Sequence, residues 1–486
     1  MGLLDPAVWS ERVFSVGGWV PGSGGAADVV EPATGDVLGR VGVATQDDVT
    51  KAAAAAAQAQ REWAAASYEE RAAVLRRAGQ LWLDHAAEIE SWIVREAGSI
   101  PPKAALETHV ASQECFEAAA LPSLPSGSVL PSAEPRWSFA RRRPVGVVSV
   151  IAPFNFPLIL SIRSVAPALA LGNAVLLKPD PRTAVCGGVA LVRVFEEAGL
   201  PPGLLHLLPG DASIGEAVVT ASEVRVISFT GSTRAGRIVG KIAGEHLKRA
   251  HLELGGNNAL VVLPGADLAK AASAGAFGSF MHQGQICMTT GRHLVHTSVY
   301  DAYVEALAEK ARHLPVGDPA TGQVAIGPLI DAGQRDRVDA LVQDTVRAGG
   351  RLAAGGTYEG LFYAPTVLAD VTPDMPAYAQ EVFGPVAPVV AFDTVEEAVR
   401  LASDSEYGLS LGILGDAGLA IQVADAVPSG IVHINEQTVA DEANVPFGGV
   451  GASGTGSRFG GPEANLEAFT ETQWLTARGS IAPYPF

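Results

Sequence analysis

Residues 147–178 read VVSVIAPFNFPLILSIRSVAPALALGNAVLLK, and the order of residue types in this stretch decides the fold class. Val147–Ile151 is an unbroken apolar run of the length of a buried strand. Leu158–Leu171 is apolar around a whole helix, and Gly172–Asn173 ends it before a second apolar run, Ala174–Leu177. The alternation continues downstream. Apolar runs at Leu204–Leu208 and Val226–Phe229 are interleaved with helical stretches at Thr183–Ala198, Ser213–Ala221 and Thr233–Ile242, and a further strand is expected at His251–Leu254. Strand–helix alternation predicts a parallel, doubly wound sheet, which binds nucleotides at the carboxyl ends of its strands.

Beyond Gly255–Gly256 a second α/β unit is expected, with strands at Ala259–Val262, His293–His296, Val389–Phe392 and Ile431–Ile434. Its helices are expected at Tyr300–Arg312, Ala332–Ala348 and Val395–Leu401. Towards the N-terminus, strand-like pieces at Asp28–Val30 and Val37–Val43 precede an alanine-rich helical region from Gln46 to Glu96, which Pro101–Pro102 should stop. Leu121–Val145 reads as a hairpin-like excursion ending in Arg141–Arg143, a run better suited to a solvated edge or an intersubunit salt bridge than to an anion site.

Bulk properties exclude several classes of function. A chain of 486 residues, 48% hydrophobic and 18% charged, can bury two or three cores and is not disordered. Fifty-two acids against 34 bases give a net charge of −18, which repels nucleic acid and anionic membranes. Three scattered cysteines, Cys115, Cys186 and Cys287, make no disulfide framework. No apolar stretch reaches the roughly 20 residues of a membrane span, and Met1–Val20 lacks the basic and apolar regions of a signal peptide. A cytoplasmic enzyme is therefore expected.

Four constellations carry chemistry. In Gln285–Arg292, Cys287 sits among small and polar residues, where turn N–H groups could hold a thiolate; Cys115 and Cys186 read as buried structural thiols. In Leu252–Asn258, Glu253 lies inside an apolar strand before a double glycine, as a buried general base or an ion-paired strand end. In Pro153–Pro157, Asn155 is held between rings and prolines, as an oxyanion donor or a helix cap. In Phe229–Gly236, Gly231 and Ser232 follow a strand and open a helix, as a pyrophosphate cradle or an ordinary N-cap.

Together these motifs resemble the aldehyde dehydrogenase superfamily from about residue 28 to the C-terminus, supported by Leu177–Pro179, Glu381–Val386 and Pro446–Val450. Within it, Arg163–Ala174, His282–Gln285 and the ending Tyr484–Phe486 are most similar to benzaldehyde dehydrogenases. The resemblance implies an aldehyde dehydrogenase fold: a Rossmann-like NAD(P)-binding domain (1–121 and 143–252), an α/β catalytic domain (253–445) and a small β oligomerisation element (122–142 and 466–486) that pairs with a neighbouring subunit in a homodimer or homotetramer. It implies that Cys287 attacks an aldehyde carbon while Asn155 and the Cys287 N–H hold the oxyanion. Hydride then leaves to the nicotinamide, and Glu253 activates water to hydrolyse the thioester to the free acid. The implied cofactor contacts are Ile151, Lys178, Asp180, Pro181, Gly210, Gly231, Ser232, Glu253, Leu254, Glu381 and Phe383. The implied substrate is an aromatic aldehyde, with benzaldehyde first and vanillin, salicylaldehyde or aliphatic aldehydes open, in a tunnel lined by Leu160, Arg163, Met288 and Phe447. No metal is expected.

One departure concerns the cofactor. Many NAD-preferring relatives carry a glutamate three residues after the lysine; here that position is Pro181, between Asp180 and Arg182. Without that carboxylate to repel a 2′-phosphate, and with Arg182 able to attract one, NAD is expected with NADP tolerated. Three rival motifs are weaker. Gly449–Gly454 fits G-x-G-x-x-G but lacks a preceding strand and reads as a glycine-rich loop near the active site. Gly408–Gly412 fits the elbow of a serine esterase using Ser410, Asp416 or Asp425, and His433, though the strand-like run surrounds and follows the serine. His282, His293 and His296 lie near Cys287, but no carboxylate completes a metal set.

Overall fold

In the computed structural model, which describes residues 2–486, the expected alternation forms a seven-stranded sheet. Its spatial order is Arg249–Glu253, Val224–Thr230, Val147–Ile151, Ala174–Lys178, Leu205–Leu207, Arg12–Ser15 and Gly18–Pro21. The first five strands are parallel, and the two N-terminal strands extend the sheet antiparallel. The chain enters at Val147–Ile151, builds outward on one side, then crosses to Val224–Thr230 on the other. The strand order therefore reverses between these two neighbours, and their carboxyl ends open a crevice. Ile151 lies opposite Lys178 there, and Thr230 opposite Glu253.

The helix Pro157–Ala170 packs under this crevice and is buried at every position except Leu160, as its all-round apolar sequence requires. The alanine-rich region forms three helices, Gln46–Ala65, Tyr68–Asp84 and Ala86–Glu96. Reciprocal capping boxes, Thr45 with Asp48 and Ser67 with Glu70, start the first two. Pro101–Pro102 does not simply stop this region. The pair opens a further helix, Pro101–Ala120, because the first turn needs no N–H from either proline.

The second sheet also has seven strands, in the order Arg351–Ala354, Thr366–Ala369, Val386–Phe392, Thr290–His296, Asn258–Val262, Ser410–Leu414 and Ile431–Ile434. All are parallel but the first. Separate cores cover its two faces, one including Leu294, Val338 and Phe392 and the other Leu260, Phe280 and Tyr303. The edge strand Arg351–Ala354 and the helices Leu268–Phe280 and Ala417–Ala426 lay outside the sequence reading. Only four residues, Leu254–Asn257, link the end of a first-sheet strand to the start of a second-sheet strand. The carboxyl ends of one sheet are thereby brought to the amino ends of the other. Among the described residues no helix is long and apolar enough to cross a membrane.

The excursion forms Gly127–Val129 and Trp137–Pro144, as an antiparallel pair. The tail strand Thr470–Ala477 pairs with Trp137–Pro144 of its own chain through eight residues, from Thr470–Pro144 to Ala477–Trp137. Excursion and tail thus form one three-stranded sheet within the chain, whose two outer strands are Gly127–Val129 and Thr470–Ala477. The arginines are likewise answered from within: Arg141 donates to Gln473 at 2.7 Å, and Arg142 lies 3.4 Å from Glu467. A chain ending at Phe469 would leave Trp137–Pro144 with an open edge. It is expected to aggregate on light scattering while the intact chain does not; a truncated chain as dispersed and as heat-resistant as the full one would show that the tail strand is dispensable.

Candidate active site

Cys287 lies in the loop between a tight turn at Met281–Gly284 and the strand Thr290–His296. His282 and Gln283 hold positive φ values of 47° and 57°, so this turn is strained for residues that carry a Cβ. Its side chains hold it in place: Gln283 donates to the carbonyls of Gly98 and Pro328, each at 2.7 Å, and Gln285 accepts from the Ile330 N–H at 3.1 Å. Asn258 fixes the nucleophile more directly. Its amide nitrogen donates to the carbonyls of Cys287 and Thr289, both at 2.8 Å, and its oxygen accepts from the Ser410 N–H at 3.0 Å. Cys287 packs beside an apolar cluster of Phe156, Ile159, Ile286, Met288, Leu409 and Phe447, with Leu160 against the same cluster.

Burial pushes the Cys287 thiol up to about 12, with the carboxylates of Glu381, Glu253 and Asp441 adding to the effect. Cys287 is partly exposed at this turn, and the backbone N–H of Met288, which favours the thiolate, only partly offsets these effects. Cys115 and Cys186 are fully buried, as expected for structural thiols.

Glu253 closes its strand at 3% exposure, and neither carboxylate oxygen has a hydrogen-bond partner. Burial raises its pKa well above the ordinary carboxylate range, and the arginines Arg458 and Arg163 only partly offset this. The ion-paired reading of this residue is thus not the arrangement found. The glycine-rich loop lies against it: Gly454 bridges Glu253, and the Leu254 N–H donates to the Ser453 carbonyl at 2.9 Å. Asn155, 3% exposed, follows the central strand Val147–Ile151. It does not cap the next helix, which has no side-chain cap from its own N-cap residue. The flanking rings brace it, Phe154 edge-on to Phe383 and Phe156 edge-on to His282.

The residues expected to touch a cofactor lie at or just beyond the carboxyl ends of first-sheet strands, or in the loop before the second-sheet strand Val386–Phe392. Ile151 and Lys178 end neighbouring strands and are each 8% exposed. Ser232 is exposed and accepts from the Ala235 N–H, so it is both a helix cap and an open helix start, and Gly231 stands where a Cβ would lie 2.7 Å from the Phe229 ring. Leu254 packs so tightly on the helix Thr233–Glu245 that a Cβ on Gly236 would meet it at 2.2 Å, and Gly210 similarly abuts Ile214. Glu381 accepts from the Gly256 N–H at 3.0 Å and burial raises its carboxyl to about 7; Phe383 beside it has a φ of 57°. An ammonium, a hydroxyl at a helix start and a carboxylate, approached over bare glycines, are the groups a dinucleotide's riboses and pyrophosphate require.

One expectation needs correction. Arg182 is not free to attract a phosphate: Asp180 and Asp331 hold it at 2.8 and 2.7 Å, and it stacks over Phe154 while Pro181 stays exposed. Arg163 is buried 5.1 Å over the Phe447 ring, with Nε 2.9 Å from Glu114 and Nη1 2.6 Å from Asp441, while its Nη2 has no partner. The esterase arrangement does not form either. Ser410 is buried and donates to the Thr438 carbonyl at 2.7 Å, Asp416 caps the helix Ala417–Ala426, which also carries Asp425, and His433 pairs with Gly412 in the neighbouring strand. His293 is taken up by Ser279 and Tyr303, and His296 by Ser298 and the Asp393 carbonyl. Sequence reading missed Asn258, Glu114, Asp441, Lys103 and Glu107. The last two, an opposite-charge pair one helical turn apart among alanines, were a legible signal.

Against known sequences, residues 19–475 match the pattern of the aldehyde dehydrogenase family. The chain is 67% identical to a vanillin dehydrogenase of Amycolatopsis sp., over the full length of both chains. It is 51% identical to the NAD(+) benzaldehyde dehydrogenase of Pseudomonas putida, over 99% of each chain. Among solved structures, a salicylaldehyde dehydrogenase from Pseudomonas putida G7, in complex with salicylaldehyde, superposes with a TM-score of 0.94 at 35% identity, covering 98% of this chain and 99% of that one.

The raised thiol sets a reactivity test. In the cofactor-free protein, alkylation of Cys287 by iodoacetamide should be slow at pH 7 and accelerate about tenfold per pH unit up to pH 10, since only the thiolate reacts. Rapid, pH-independent labelling at pH 7 would mean that the thiol is not raised.

Proposed function

The chain belongs to the aldehyde dehydrogenase family, an NAD(P)-dependent oxidoreductase family, and from that premise we propose that it oxidises an aromatic aldehyde to the carboxylic acid through a thioester on Cys287. The observation that carries this reading is the buried, unpartnered carboxylate of Glu253 at the sheet junction, whose charge the Cys287 thiol feels. A carboxylate left without partners in an apolar site is a strong base.

The thiol gives up its proton to solvent and the sulfur attacks the aldehyde carbon. The new oxyanion is met by the Asn155 amide and the Cys287 N–H, a pair of fixed dipoles whose loss typically costs 10²–10³-fold in rate per donor. NAD(P), when bound, would supply the hydride acceptor. Lys178 and Glu381 would hold its two riboses and Ser232 its pyrophosphate, with Ile151, Asp180, Pro181, Gly210, Gly231, Leu254 and Phe383 as the surrounding walls. Glu253 then draws a proton from water, and the hydroxide cleaves the thioester to the free acid. A base at this position favours hydrolysis over transfer of the acyl group to coenzyme A.

Aromatic substrates are favoured by the walls beside Cys287, where Phe156 and Phe447 with Ile159, Leu160 and Met288 offer flat, apolar contact. The similarity to the vanillin dehydrogenase brings vanillin level with benzaldehyde as a candidate, ahead of aliphatic aldehydes. NAD is the preferred cofactor and NADP is tolerated; the tolerance rests on Pro181 alone, since Arg182 is occupied. The first sheet with its helices serves as the cofactor domain and the second as the catalytic domain. Exposed Trp137, Trp474 and Val129 on the three-stranded sheet suit a homodimer or homotetramer contact. Three free cysteines suit a cytoplasmic setting.

Two measurements check this reading. Glu253→Gln should leave one turnover's burst of NADH per site, trap the acyl group on Cys287 by mass spectrometry, and lower steady-state turnover at least about 100-fold. The wild-type acid limb should lie well above the ordinary carboxylate range, because a raised carboxyl becomes a base only as pH rises through it; Gln should remove that limb. A substitution that leaves turnover intact would remove Glu253 from the mechanism. A panel of benzaldehyde, vanillin, salicylaldehyde and hexanal with each cofactor should rank the aromatics at least about tenfold above hexanal in kcat/KM. A panel led by hexanal would refute the aromatic reading, and total inactivity with NADP would refute the tolerance.

A further inference from the structure

The loop that carries Asn155 is gripped from beneath by two side chains to which the reaction above gives no part. Lys103 and Glu107 lie one turn apart on the helix Pro101–Ala120, both fully buried and in contact as an ion pair. Lys103 Nζ donates to the backbone carbonyl of Asn155 itself at 2.7 Å, and sits 4.4 Å over the Phe156 ring. The second carboxylate oxygen of Glu107 accepts from the N–H groups of Leu158 at 3.0 Å and Ile159 at 3.4 Å. It thereby supplies the cap that Phe156, at the N-cap position, does not. Asn155, Phe156, Leu158 and Ile159 are thus all held by one pair.

A buried ion pair is a poor device for stability, because desolvating two charges costs about as much as their attraction returns, and an apolar pair of similar volume serves as well. What an apolar pair cannot do is bind a carbonyl and two N–H groups in fixed directions. The carbonyl of Asn155 defines the peptide plane on which its Cα–Cβ bond is oriented, so fixing the carbonyl fixes where the side-chain amide points. His282 closes the other side of Phe156 edge-on at 5.5 Å and its ring approaches the Asn155 backbone carbonyl without a well-formed hydrogen bond, so Lys103 is the group that grips that carbonyl.

We propose that Lys103 and Glu107 are positioning residues for the oxyanion donor: through the Asn155 carbonyl and the first turn of Pro157–Ala170 they hold the Asn155 amide at the angle the reaction needs. This rests on the reading of Asn155 as that donor.

A double-mutant cycle in the full-length enzyme with saturating NAD separates the two ideas. Lys103→Met should lower kcat roughly ten- to hundredfold, the range set by a misplaced catalytic group, with KM for NAD unchanged. In an Asn155→Ala background the same substitution should change kcat less than twofold, because the donor it aims is gone. Lys103→Met/Glu107→Leu, which leaves no lone buried charge, should behave the same and carries the test if the single variant does not fold. Wild-type kcat in the positioning variants, or an equal loss in both backgrounds, would overturn the proposal while leaving the oxyanion reading intact. Wild-type kcat in Asn155→Ala would overturn that reading, and the proposal with it.

Discussion

Four residues, Leu254–Asn257, carry the chain from the carboxyl edge of one parallel sheet to the amino edge of the other, and everything the site does depends on that short junction. Parallel sheets place their strand-end loops on one edge each, so joining two such edges brings loops distant in sequence to the same place. Glu253 ends a strand of the first sheet, and the second sheet begins with Asn258, whose amide ties down the carbonyls of Cys287 and Thr289. Base and nucleophile are thus positioned by the two ends of one connection. The remaining strand ends of the first sheet supply Ile151, Lys178 and Ser232, and the loops that precede strands of the second supply Glu381 and Phe383.

The electrostatics follow from closing that junction. Removing water from the crevice raises Glu253, Glu381 and the Cys287 thiol alike, and the thiol is raised further by the two carboxylates. Elsewhere in the first domain-sized unit, buried or half-buried acids are answered, Glu114 by Arg163, Glu107 by Lys103, Asp180 by Arg182 and Glu96 by the N–H groups of Val185 and Cys186. Glu253 alone among these is left without a direct partner. The contrast separates acids that hold the fold from the acid that is available for proton transfer. The Arg182 guanidinium is engaged in the same way, while Arg163 is paired through Nε and Nη1 and keeps an unpartnered Nη2.

Rigidity around the site comes from polar contacts at strained loops. His282, Gln283 and Phe383 all hold positive φ, and Gly284 lets the two loops touch, since a Cβ there would meet the Gly384 carbonyl at 2.1 Å. Gln283, Gln285 and Asn258 pin the nucleophile loop by side-chain amides, which bind backbone groups without adding charge. The Lys103–Glu107 pair does the same for the opposite wall. Such contacts are directional, so they fix angles as well as distances.

The sequence by itself determined the parallel sheet of the first unit, because buried strands and all-round apolar helices such as Val147–Ile151 and Leu158–Leu171 leave no other packing. It also singled out Cys287, Glu253 and Asn155, because a thiol among small residues, an acid in an apolar strand and an amide between prolines each contradict their local setting. Boundaries were less legible: Pro101–Pro102 suited a helix end and a helix start equally, and only the packing of Pro101–Ala120 against Pro157–Ala170 chose between them. Tertiary structure alone decided which charges are spent. Whether Arg163 and Arg182 face a ligand or a carboxylate, whether the tail strand pairs with its own chain, and how far the Cys287 thiol is raised depend largely on groups from other elements, such as Asp441 for Arg163, Asp331 for Arg182 and Glu381 for Cys287, which local pattern does not reveal.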